Sequence, residues 1–465
     1  MHKLVILLTL LFLALGVVSV AAQDATPTPT PLPPLEVTAS MPEFTGESDN
    51  FAGIDPSGVT ITYWHQYNNP TQLSYISGIV NAFNAANPYG IRVDAKASGN
   101  YNDIRTSTNN AIISGDLPNL VAGFPNDSLS YALDDVVVDL TPYYADAKWG
   151  FDAAALADLN QVALDSWLFE NGRLGVPNQL SGEVMFSNAA MMQELGFSAD
   201  SPVTLDEFAA AACAAANSNM TGADGATVQG YPIVADASQF ETTVAGIGGN
   251  IWVDGQWNFT TEESTRVLQL FKDLYDQGCA YIPEAAFGNT ADWARAINPF
   301  AFSSSAGIAP TLNTVRDAGN LVTDWKVLPA PVNAAGDKPV IQLFTPGIMI
   351  MSATPEEQLA SWLFLRFFAS PEIQAQWSQS LSLFPLSKSA SAMLDSSKMV
   401  PQFLEIVNKV ANDEVGVYVS HQNLSYGQVR SILATGIADV TSGGLDVAEV
   451  AQRMTDEANA AMASG

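Results

Sequence analysis

Hydrophobic and polar positions along the chain switch repeatedly between two periods. Val59-Thr-Ile-Thr-Tyr-Trp-His65 alternates with a period of two and predicts a strand, whereas the apolar positions between Leu73 and Phe83 recur at helical spacing. A second strand, Ile91-Arg-Val-Asp-Ala95, follows an Asn-Pro turn, and Tyr101 to Ser114 is amphipathic. Pro118 introduces the buried-type run Asn-Leu-Val-Ala, and a further helix follows it. This order of strand, helix, strand and helix predicts an α/β fold with a doubly wound sheet, whose ligand sites lie beyond the carboxyl ends of the strands.

From 182 to 330 the pattern predicts longer helices at Leu205 to Ala216, Ser264 to Gly278 and Asn289 to Ala296. Strand signals return at Lys326-Val-Leu-Pro329 and Gly347-Ile-Met-Ile-Met-Ser352. The tail reads as helices over Pro355 to Phe368, capped by Thr354, then Pro371 to Ser380 and Val429 to Val440. No internal repeat and no coiled-coil pattern interrupts this series.

Residues 1–22 stand outside the alternation. Met1-His2-Lys3 precedes an almost unbroken apolar run from Leu4 to Val20 that ends in small residues. This is the pattern of a secretory signal peptide cleaved near Ala21 or Ala22, and the run is short of the roughly 20 residues a spanning helix needs. No cysteine lies near that point, so a lipid-modified amino-terminal cysteine is not expected. Residues 23–56, with Thr26-Pro-Thr-Pro-Thr-Pro31 and Pro33-Pro34, read as a Thr/Pro-rich linker. The remainder is long enough for two lobes with separate cores, in a protein expected to act outside the cytoplasm or at the cell surface.

The formal charge is -30, although only 14% of residues are charged, because 18 Lys and Arg face 48 Asp and Glu. Such a surface repels a polyphosphate, which argues against a nucleic-acid partner. Cys213 and Cys279 are too few for a disulfide-built scaffold. Outside the cytoplasm they are free to form one bridge; two buried thiols is the alternative.

Several chemistries find no residues to carry them. Beyond the leader only His65 and His421 remain, and neither has a second histidine at metal-ligand spacing. There is no phosphate loop, nucleophile elbow or dinucleotide fingerprint. Asn217 to Gly222 resembles half of a calcium loop, but Val228 stands where the bidentate glutamate belongs. Asp127, Asp134, Asp135 and Glu183 fall near the expected cleft loops without any catalytic motif. No catalytic residue, metal or cofactor is therefore assigned. The positive signal is aromatic and amide residues at strand ends: Trp64-His-Gln-Tyr-Asn-Asn69, Gly99-Asn-Tyr101 and Asn126-Asp127-Ser128. Sugars present apolar faces that stack on rings and hydroxyls that pair with amides. Taken singly, each aromatic is equally suited to core or loop packing.

The order of motifs resembles the extracellular solute-binding proteins of family 1, which include the maltose-binding and glycerol-phosphate-binding proteins of ABC importers. The matching segments are Thr62-Tyr-Trp-His65, Val80 to Pro88, Gly99 to Asp103, Gly115-Asp-Leu-Pro-Asn119, Gly175-Val-Pro-Asn-Gln179 and Met185-Phe-Ser-Asn-Ala189. Further on come Pro202 to Phe208, Gly248-Gly-Asn-Ile-Trp252, Ala360 to Phe368 and Leu383-Phe-Pro-Leu-Ser387. The resemblance implies a two-lobed periplasmic-binding-protein-like fold of type II, with lobe 1 from 57–178 and 336–388 and lobe 2 from 179–335 and 389–465. Hinge crossings are expected near Val176 to Leu180, Pro331 to Pro339 and Pro385 to Ser391.

It also implies a ligand site of Trp64, Gln66, Asn68, Tyr101, Asn126 and Asp127 from lobe 1, with Ser181, Trp252, Ser304, Phe344 and Tyr426 facing them. Trp252 and Tyr426 are the expected stacking platforms. The expected protein is a monomeric receptor that captures a neutral mono- or oligosaccharide by lobe closure and docks on ABC permease subunits. The glycerol-phosphate binders carry an arginine in the tail loop where this chain has Gln422 and Asn423, which disfavours a phosphorylated ligand. A polyamine is the alternative that the acidic balance suggests, and a secreted glycoside hydrolase is the enzymatic one.

Overall fold

The computed structural model describes residues 33–285 and 288–464. The expected signal peptide and the Thr26 to Pro31 tract lie outside them. Two five-stranded sheets organise the chain, one in each lobe.

The lobe 1 sheet runs in the order Arg92–Ala97, Thr60–His65, Leu120–Gly123, Gly347–Ile350, Val176–Pro177. The first three strands are parallel, with Thr60 opposite Arg92 and Tyr63 opposite Leu120. Gly347–Ile350 returns antiparallel to both its neighbours. The alternation read in the first strand is realised as one buried face of Ile61, Tyr63 and His65. Tyr63 packs on Phe364 of helix Pro355–Phe368, and Tyr67 meets Trp377 of helix Pro371–Leu381 edge-on at 5.0 Å.

The lobe 2 sheet runs Phe300–Ser304, Ser181–Ser187, Val340–Phe344, Gly416–Tyr418, with Lys326–Leu328 also paired to Ser181–Ser187. Ser181–Ser187 is buried at every position because it is covered on both sides. Phe186 packs on Trp293 and Trp325, while Met185 joins the cluster of Phe208, Tyr231, Phe300 and Phe302. A disulfide joins Cys213, on helix Leu205–Ala216, to Cys279, beside strand Ala280–Tyr281.

Two of the three crossings depart from the expected positions. The first passes through residues 178–180, where Leu180 forms a bridge with Phe384. The second lies at Thr345 and Pro346, not at Pro331 to Pro339. Val-Ile-Gln-Leu-Phe is a β run that pairs with the lobe 2 strand, Leu343 opposite Gly182 and Phe344 opposite Ser181. Residues 336–344 therefore belong with lobe 2 rather than lobe 1. The third crossing also comes late, since Ser387 bridges Leu159, Ser389 N donates to Asp158 at 3.0 Å and Asp395 N to Gln379 at 2.9 Å. These contacts hold the chain on lobe 1 as far as Asp395, before helix Pro401–Ala411 packs on strand Lys326–Leu328.

Residues 33–54, expected as part of a free linker, are laid along lobe 1. Leu35 N donates to Ser74 O at 3.0 Å, Gln376 Nε2 to Thr38 O at 3.1 Å and Ser48 Oγ to Asp146 at 2.7 Å. Phe51 stacks 4.2 Å from Tyr143, and Phe44 covers Trp149. Val37, Met41, Phe44, Phe51 and Ile54 interrupt the proline-rich composition and supply the apolar contacts that hold the segment down.

Candidate cleft between the lobes

The carboxyl ends of Thr60–His65 and Leu120–Gly123 lie beside the crossings, as Gly123 and Pro177 both pair with Gly347. Tyr67 fastens the loop after the first strand: its hydroxyl donates to Gln179 at 3.1 Å and accepts from Asn178 at 3.0 Å. Gln66 is half-buried, and its Oε1 has no partner; the buried hydroxyl of Tyr101, at the start of helix Tyr101–Ser114, has none either. The Tyr101 ring rests 4.7 Å from Phe124.

Asp127 is engaged inside lobe 1. One of its oxygens accepts from Phe124 N at 3.0 Å, capping helix Pro125–Ala132, and the other accepts from Arg105 Nε at 2.8 Å. Asn126 looks toward lobe 2, where a Cβ placed on Gly427 would lie 3.8 Å from its Nδ2. Trp64 is half-buried on the strand face opposite Tyr63 and His65, and Asn68 is exposed. Burial holds the His65 imidazole neutral, with its pKa lowered to about 4.

On lobe 2, Ser181 and Phe344 are paired at the crossing end of the sheet. Ser304 uses its hydroxyl to cap the turn at Ala306, at 3.3 Å, and lies opposite Glu183. Glu183 is itself buried. Burial, reinforced by Asp236 and opposed by Arg430, raises its pKa to about 8.

A second buried acid, Glu241 on helix Ala237–Gly246, accepts from the hydroxyls of Ser420 and Tyr426, the latter at 3.2 Å, and from Gln342 Nε2 at 3.4 Å. Burial raises it to about 7 against those bonds and the charge of Arg430. Arg430 donates to Asp236 and Ser238, each at 3.1 Å, and to the Tyr426 hydroxyl at 3.4 Å.

Tyr426 is thus an interior member of this network, with its ring nearly parallel to Trp257 at 6.0 Å, rather than an open platform. Trp252 is half-buried and is covered by His421 at 3.7 Å. The structure brings Gln66, Tyr101, Asn126 and Asp127 to one edge and Ser181, Ser304 and Phe344 to the other; Trp252 and Tyr426 sit with His421 and Trp257. Sequence reasoning missed Glu241, Arg430 and His421 as neighbours of the site. Gln342, on the late-crossing strand, would have been found had Val-Ile-Gln-Leu-Phe been assigned to lobe 2.

A cleft of about 1150 Å³ opens between the lobes. On the lobe 1 side it is bounded by Leu133 and by the hairpin of strands Leu168–Phe169 and Gly172–Arg173; on the other, by residues 419–425 of lobe 2. Asp165, Glu170, Gln422 and Asn423 line it, and among the described residues no lysine or arginine does. Asn423 Nδ2 is buried without a partner. Among the described residues no group of acids and histidines could hold a metal ion, and no helix is long and apolar enough to cross a membrane.

Two α/β lobes around a cleft at the hinge are the architecture of a solute receptor, and the chain belongs to the bacterial extracellular solute-binding protein family, whose model matches residues 78–404. Its fold is that of the cyclic alpha-maltosyl-1,6-maltose binding protein of Arthrobacter globiformis (20% identity, TM-score 0.72, covering 88% of this chain and 100% of that one). It is likewise that of the sugar-binding protein MalE of Xanthomonas citri (16%, 0.70, 87% and 98%). UgpB of Mycobacterium tuberculosis, solved with glycerophosphocholine, is similar to the same degree (17%, 0.70, 87% and 99%). A search of curated proteins returned no match.

Proposed function

We propose that the protein is the extracytoplasmic receptor of an ABC importer and that it captures a neutral carbohydrate by closing its lobes, without catalysis. The observation that carries this reading is the set of buried polar groups left without partners on both sides of the hinge. Among the described residues these are Gln66 Oε1 and the Tyr101 hydroxyl on lobe 1, and Asn423 Nδ2 on lobe 2. An unsatisfied buried polar group costs about 1–3 kcal/mol, which a ligand rich in hydroxyls would recover. The cations of the region are already paired, Arg105 with Asp127 and Arg430 with Asp236. That arrangement disfavours a phosphorylated ligand. Asp165 and Glu170 in the cleft favour a cationic ligand such as a polyamine as the second reading.

Export by the leader, a monomeric state and docking on permease subunits complete the proposal. The test is a thermal-shift screen of the mature chain against neutral mono- and oligosaccharides, glycerol phosphates, polyamines and amino acids. A rise in midpoint with neutral sugars is expected. A response confined to polyamines or phosphates, or turnover of an oligosaccharide, would overturn it.

A further inference from the structure

Four large aliphatic side chains that remain in solvent gather at one place. Leu133 is 67% exposed, Leu168 50%, Val162 38% and Leu424 37%, and all four line the cleft between the lobes. Single exposed hydrophobics are ordinary, but a contiguous set from two facing lobes marks a binding surface.

The lips are held firmly in place. Trp167, fully buried at the root of the lobe 1 hairpin, donates Nε1 to Thr345 O at 2.9 Å, and Ser166 bonds the Thr345 hydroxyl at 2.8 Å. Across the cleft, the loop that presents Leu424 is tied by Trp257 Nε1 to Ser425 Oγ at 3.2 Å and by Ser425 Oγ to Asn423 at 2.8 Å. Neither lip must be ordered when a ligand arrives, so its apolar area is available for binding.

The chemistry of the wall is specific. Sugar faces stack on aromatic rings, and Phe169 and His421 are the rings in this lining; the exposed side chains of its rim are aliphatic and suit a chain or ring without hydroxyls. Amides of Gln422 and Asn423 lie on the same wall, and the carboxylates of Asp165 and Glu170 would repel an anionic amphiphile. We infer that the ligand is a neutral glycoside carrying an apolar non-sugar portion, its sugar on the amide and hydroxyl groups and its apolar part between Leu133, Leu168 and Leu424. The inference rests on the carbohydrate reading above and narrows it.

Titration calorimetry of the mature chain with maltose and with hexyl maltoside, below its micelle concentration, tests it. The hexyl compound is expected to bind about tenfold tighter or more, since each buried methylene contributes roughly fourfold. That increment is expected to shrink in Leu168→Asn and Leu424→Asn. Equal affinity for the two compounds, or binding of neither, would overturn the inference, while the sugar reading stands or falls on the thermal-shift screen. Light scattering that shows a dimer dissolved by the same substitutions, with no chain-length increment, would assign the lips to self-association instead.

Discussion

The imidazole of His421 lies flat on the indole of Trp252, with ring centroids 3.7 Å apart and planes 10° from parallel. The open face that a sugar would use is occupied by the protein's own tail loop. Stacking of this kind contributes about 0.5–1.5 kcal/mol. If sugar must displace the imidazole, His421→Ala is expected to tighten binding by up to roughly tenfold and Trp252→Ala to weaken it, as measured by calorimetry. Looser binding in His421→Ala would show that the imidazole itself contacts the ligand.

The two buried acids make stability depend on pH in a definite sense. Glu183 and Glu241 have folded pKa values of about 8 and about 7, above the 4.5 of the unfolded side chain. Their protonated forms favour the fold, so this contribution is complete below about pH 4.5 and is lost as pH rises through 7 and 8. For Glu183 it is on the order of 5 kcal/mol. Thermal midpoints between pH 5 and 8.5 are expected to fall less steeply in Glu183→Gln than in the parent. Parallel curves would sink the assignment.

The disulfide spans 66 residues of lobe 2. On the chain-entropy model its loss costs about 4 kcal/mol. Cys213→Ser or Cys279→Ser is expected to lower the unfolding free energy by that amount in chemical denaturation, and the parent under reducing conditions to match them.

Gly78 sits where helix Pro70–Ala86 passes beneath the amino-terminal segment, and a Cβ there would stand 2.3 Å from the carbonyl oxygen of Leu35. By helix propensity alone Gly→Ala would stabilise by about 1 kcal/mol. The clash is with backbone, so Gly78→Ala is expected instead to loosen residues 33–54 and to speed amide exchange there. Protection equal to that of the parent would show that the segment contributes little. Phe51→Ala removes a half-buried ring from Tyr143 and is expected to cost about 2 kcal/mol in chemical denaturation.

Periodicity reported the elements that are amphipathic and locally capped. Tyr101–Ser114, Leu205–Ala216 and Pro355–Phe368 form over the expected residues because Asn100, Thr204 and Thr354 supply their caps. What the pattern could not report is partnership. Val340–Phe344 reads as a strand equally well in either lobe, and only its pairing with Ser181–Ser187 decides. Glu241 looks like a solvent residue on a polar helix until Ser420 and Tyr426, some 180 positions away, are folded against it. Tyr426 and Trp252 have the aromatic character expected of stacking platforms, but Trp257 lies against the one ring and His421 against the other. Aromatic character is visible in one dimension, but occupancy is not.

The fastening of residues 33–54 has a mechanical meaning. Ser74, Gln376 and Asp146, which hold this segment, all belong to lobe 1. Any load transmitted through the chain upstream of Pro33 enters lobe 1 and bypasses the hinge. On the proposed reading lobe 1 is then the stator and lobe 2 the rotor, with the docked segment riding on the stator alone.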